Sequence, residues 1–161
     1  MKSGMKTMLL FAAVALACVA GANVARADTD PAAAVKADVQ KLVADATTLH
    51  DTIKADADKI TADAHALQGT TDREAARATL KADWKKVLAD REALKPAVDA
   101  DWAQLKSDLG ALRSAKAGSA DLKALLEQAN QALALQRDAV KQSLTAAHDA
   151  AKALRDSLKK K

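Results

Sequence analysis

The most regular chemical feature of the sequence is a series of paired carboxylates. Asp38 and Asp45, Asp56 and Asp63, Asp83 and Asp90, and Asp101 and Asp108 each lie seven residues apart. Lys41, Lys59 and Lys86 stand inside the first three pairs, and Gln104 inside the fourth. Each sits three residues after one Asp and four before the next. Residues at those spacings are neighbours on a helix surface, so the pattern predicts a solvated rail of ion pairs. Each pair would contribute about 0.2–0.5 kcal/mol. The functional reading of the same residues is an acidic face for cations or a basic partner. Two Asp seven apart are separated by roughly 10 Å along a helix. That is too far to share one ion at bond lengths of about 2.3–2.6 Å.

Nothing else in the sequence has catalytic spacing. His50, His65 and His148 form no H-x-x-x-H or E-x-x-H pair, and surface histidines are the expectation. No HExxH, Gly-rich phosphate loop or Ser/His/Asp order occurs. No catalytic residue, metal ligand or cofactor-binding residue is therefore assigned, and the chain is not expected to be an enzyme.

Four further residues stand out. Trp84 and Trp102 are 18 residues apart at equivalent positions, as core anchors or as an aromatic pair facing a partner. Arg91 and Gln136 are polar residues on otherwise apolar stripes, which predicts register specification by partly buried polar groups. Antiparallel pairing through the first turn places Arg91 beside Leu49 and near Asp45. An Arg91–Asp45 contact is the test of that pairing. The same arithmetic through the second turn places Gln136 near Asp101 and Trp102.

The elements that must position these residues follow from the spacing of apolar side chains. Segments beginning at Val35, Ile53, Leu80 and Val98 align without gaps, with starts 18, 27 and 18 residues apart. Eighteen residues make five whole turns at about 100° each, so the apolar positions return to one face without drift. The steps of three and four run from Val35 to Leu67, from Leu80 to Leu112 and from Leu122 to Leu154. The extra four-residue step relaxes the supercoil of a strict heptad, and nearly straight helices are expected.

Asp30-Pro31 opens the first helix as N-cap and N1. Gly69-Thr70-Thr71-Asp72 and Gly118-Ser119-Ala120-Asp121 each combine a C′ glycine with an N-cap hydroxyl, and Thr71 with Glu74 fits a capping box. Pro96 has no cap or glycine near it and reads as a kink inside the second helix. The prediction is an all-α, elongated, coiled-coil-like antiparallel three-helix bundle. Its helices span about 31–68, 72–117 and 120–159.

Residues 1–27 have the pattern of a secretory signal peptide. Lys2 and Lys6 precede the apolar stretch from Met8 to Val19, and Ala25-Arg26-Ala27 precedes Asp28. Cleavage between Ala27 and Asp28 is expected, leaving 28–161 as one helical domain, periplasmic or secreted. The rival reading acylates Cys18, but Leu16 lies one place off the lipobox position. Cleavage removes the only Cys and three basic residues, and takes the formal charge from +4 to +1. The two halves of the mature chain differ only mildly in charge. Neither shows a clustered basic face, so no nucleic-acid partner is expected.

The chain ends in Lys159-Lys160-Lys161, cations at a helix C-terminus and candidate contacts for anionic lipid or cell wall. Over these few residues the end resembles the small murein lipoproteins, which would imply attachment of the last Lys to peptidoglycan. The lipobox departs from theirs, and no function is carried over. The expectation is an exported, non-catalytic helical protein with a structural or protein-binding role in the bacterial envelope. Its partner would be an envelope protein or a second copy. The alternatives are an amphipathic-helix binder of anionic membrane surfaces and a holdase-type chaperone.

Overall fold

A computed structural model describes residues 30–115 and 120–159. The signal segment, Cys18, the Gly118-Ser119 break, Lys160 and Lys161 lie outside the described residues. Three helices, α1 (Pro31–Ala66), α2 (Arg73–Ser114) and α3 (Ala120–Lys159), form an all-α three-helix bundle. At about 1.5 Å per residue the helices are roughly 54–63 Å long.

Asp30 caps α1, its Oδ1 accepting from the Ala32 N–H at 3.0 Å, with Pro31 at the first helical position. Proline supplies the φ this position needs and gives up an N–H that has no intrahelical partner there. α1 ends at Ala66, slightly earlier than expected. Gly69, at φ +89°, turns the chain in a conformation that costs glycine little. The N-cap of α2 is Asp72, not Thr71: Asp72 Oδ1 accepts from the Ala75 N–H at 2.9 Å. Thr70 Oγ1 in turn accepts from the Asp72 N–H at 3.2 Å, so the hydroxyl braces the turn and the carboxylate caps the helix. α2 runs unbroken through Pro96. Gly110 lies inside its last turns.

Three cross-helix bonds fix the α1/α2 pairing. Lys41 donates to Asp101, Lys59 to Asp83 and Lys86 to Asp56, and in each case the residue numbers add to 142. A constant sum is the signature of antiparallel neighbours. It also corrects the expected register. The expectation from sequence sets Arg91 beside Leu49, a sum of 140, whereas the observed pairing puts Asp45 level with Ala97. Arg91 is then about 9 Å away along the axis. The Arg91–Asp45 contact is not made: Arg91 is exposed, and Lys41 holds Asp45 at 3.0 Å.

α3 runs parallel to α1 and packs on it. α1 therefore lies between α2 and α3 and carries nearly all of the helix–helix packing. Gln136 accordingly faces α1 rather than Asp101 and Trp102. Its Nε2 donates to Thr47 Oγ1 at 2.7 Å, and its Oε1 accepts from His50 Nδ1 at 3.1 Å. This polar layer separates two apolar clusters. One gathers Val35, Leu42, Leu105 and Leu133 near the start of α1. The other gathers Ile53, Ile60, Leu80 and Leu154 towards its end. Buried alanines such as Ala57, Ala64, Ala76 and Ala147 let the backbones approach closely.

Candidate functional site

Two long seams flank α1, and they differ in chemistry. The first is the α1/α2 seam, where the aspartate pattern lies. The rail expected in solvent is half buried. Asp38, Asp56, Asp83 and Asp101, the first member of each pair, are only 6–9% exposed. A residue facing the partner helix at this spacing is covered by that helix, which a single-helix reading of the sequence does not register.

Each bridging lysine reaches two carboxylates. Lys59 donates to Asp63 at 2.5 Å on its own helix and to Asp83 at 2.8 Å on the other. Lys86 bonds Asp56 at 2.6 Å, and also Asp90. Lys41 joins Asp101 and Asp45 in the same way. These bonds raise the three ammonium groups above their ordinary value. The same bonds hold Asp45, Asp63 and Asp90 below the ordinary carboxylate range.

The buried carboxylates are incompletely satisfied. The Oδ2 atoms of Asp56, Asp83 and Asp101 are buried without a hydrogen-bond partner among the described residues. At the fourth equivalent place Gln104 replaces lysine. It lies level with Asp38 and donates to Asp108 at 3.1 Å. Among the described residues no three His, Cys, Asp or Glu side chains gather in a way that holds a metal ion.

The second seam lies between α2 and α3, which stand apart over the floor provided by α1. Trp84 and Trp102 both lie along it. Trp84 is half-buried and faces Val140, Leu144 and Arg137 across a depression of about 520 Å³. Trp102 is 47% exposed and stands over a second pit of about 240 Å³, floored by Val39 and Leu42 and closed by Leu126 and Leu133. Leu88, one turn beyond Trp84, is 56% exposed. Lys106 and Arg113 border the Trp102 end, and Arg137, Lys141 and His148 the Trp84 end.

Of the residues singled out from sequence, the two tryptophans share this seam, while Arg91 is an exposed residue of α2. Gln136 belongs to the α1/α3 polar layer, and Asp45 to the α1/α2 ladder. Lys159 lies in the last turn of α3, where it meets Asp156 at 3.4 Å. Sequence reasoning missed Thr47 and His50 as the partners of Gln136. It also missed the gathering of cations around the tryptophans. The tally of charge by halves averages over helix faces and erases that gathering.

No helix among the described residues is long and apolar enough to cross a membrane. No family model, curated protein or solved structure matches the chain.

Proposed function

We propose that this protein is an exported, non-catalytic helical bundle with a structural or protein-binding role in the bacterial cell envelope. Residues 1–27 serve as its signal peptide, and the mature chain begins at Asp28. The observation that carries the binding role is the exposure of Trp102 over an apolar pit. Trp is enriched at the centres of protein interfaces because it buries a large rigid surface and still offers an N–H. A bundle this poor in large side chains gains from burying both of its tryptophans, yet leaves one nearly half in water.

The test is photo-crosslinking in intact cells. A photoreactive residue at position 102 should give a discrete protein adduct, and one at the exposed Lys85 should not. Equal labelling from both positions, or none from 102, defeats the reading. N-terminal sequencing of the same protein recovered from a periplasmic or extracellular fraction should begin at Asp28. A chain starting at Met1 defeats the export part.

The second reading is binding to anionic membrane surfaces, favoured by exposed Trp102 and Leu88 beside lysines and arginines. It expects a blue shift of Trp emission and co-flotation with anionic vesicles. A holdase role expects suppression of client aggregation instead.

A further inference from the structure

We infer that the α2/α3 seam docks an acidic amphipathic helix as a fourth helix of the bundle. The inference rests on the protein-binding reading and names the chemistry of the partner. Its first support is the sign of the charge along the seam. On α2, the charged residues within about 40° of the line joining Trp84 and Trp102 are Arg73, Arg77, Arg91, Lys95, Lys106 and Arg113. All are cations. The nearest carboxylate, Asp99, lies about 60° round and is engaged by Lys95.

The facing side of α3 repeats this. Within about 40° of Arg137 its charged residues are Lys123, Lys141, Arg155 and Lys159, together with His148. The nearest carboxylate, Glu127, is about 80° away. The carboxylates of α2 and α3 are turned to the α1/α2 seam or to the outer surface. One groove therefore gathers most of the cations of the two helices, of which Lys95, Lys123 and Lys159 pair with Asp99, Glu127 and Asp156 beside them.

The second support is shape. The floor is apolar and recessed: Leu105 and Leu133 are buried at the bottom, while Trp102 and Leu88 stand exposed on the α2 side beside the cations. A flat membrane surface meets the rims first and does not reach the floor. A convex helix does reach it. The two pits are marked by tryptophans 18 residues apart, about 27 Å and five whole turns. A partner helix of comparable length presents side chains to both pits from a single face. A second copy docking through the same seam would set cations against cations, which is unfavourable.

The test uses the purified protein and two synthetic 22-residue peptides with the same Leu/Ala stripe, one flanked by Glu and one by Lys. The Glu peptide should bind saturably at one to one, shift Trp emission to the blue, and weaken as salt rises. The Lys peptide should not bind. Arg137→Glu with Lys141→Glu should lower affinity for the Glu peptide by about tenfold or more and favour the Lys peptide. Lys106→Glu with Arg113→Glu repeats the test at the other pit, should the first variant fail to fold.

Equal binding of both peptides or binding of neither overturns the inference. So does a response confined to anionic vesicles or to a single-stranded oligonucleotide, or dimerisation lost on Trp102→Ala. If the Glu peptide fails while the photo-crosslink from position 102 persists, the helix inference falls and the protein-binding reading stands. If both fail, both fall.

Discussion

Lys54 and Lys86 each pair with an Asp four residues on, Asp58 and Asp90, yet only Lys86 also reaches a buried carboxylate, Asp56. The difference decides what their removal costs. Lys54→Ala gives up a solvent-exposed pair that water replaces, and should leave the denaturation midpoint nearly unchanged. Lys86→Ala leaves Asp56 covered by the neighbouring helix and without its lysine donor, and should lower the midpoint clearly further. Urea titrations of the two variants check this; equal midpoints would mean that Asp56 is rehydrated at little cost. Gln104, level with Asp38, holds Asp108 four residues on through a neutral amide. Gln104→Lys places an ammonium where the other three levels have one, and should raise the midpoint at neutral pH. A lower midpoint would show that the Asp38 and Asp108 environment is already matched to an amide.

At the scale of elements, α2 keeps two residues that its own helix would do better without. Pro96 lacks the N–H that would bond the carbonyl four residues back, and its ring crowds that carbonyl. It is exposed and within an unbroken helix, so Pro96→Ala should stabilise by about 1–3 kcal/mol. Gly110 is helical and exposed, and an added Cβ meets nothing within 4 Å. Gly110→Ala should add about 0.5–1 kcal/mol. Calorimetry of the single and double variants checks both, and the gains should add because the sites are far apart. A loss for Pro96→Ala would mean that the proline sets a bend on which the α1/α2 packing depends.

The helices themselves were legible because steps of three and four, broken by Gly69 and opened by Asp30-Pro31, are local signals. The direction of α1/α2 pairing followed from a short turn. What could not be read was which helix α3 would choose. Nothing in Gln136 or its neighbours distinguishes α1 from α2 as a partner until Thr47 and His50 are seen side by side. The burial of Asp56 and Asp83 was hidden for the same reason, since a carboxylate beside an apolar stripe is solvated on one helix and covered on two. The candidate groove suffered most: its cations are scattered through the sequence and come together only when α2 and α3 face each other across α1.

For the whole molecule, the ladder ties stability to pH at both ends of the scale. Asp45, Asp63 and Asp90 have folded-state values below the ordinary 3.8, each because of its bonded lysine. A depressed carboxylate stabilises the fold above its unfolded value, and that stabilisation is lost as pH falls through the folded value. Lys41, Lys59 and Lys86 are raised above the ordinary 10.5 by the same carboxylates. Their contribution is fully present below the unfolded value and is lost as pH rises through the folded one. The bundle should therefore hold a broad plateau of stability through neutral pH, falling below about pH 4 and again above about pH 10.5. The ammonium groups face solvent, so screening keeps both declines shallow, and added salt should flatten them further. Thermal melts followed by circular dichroism at low and high salt measure this directly. A melting temperature that stays level from pH 6 down to pH 2 would contradict the ladder.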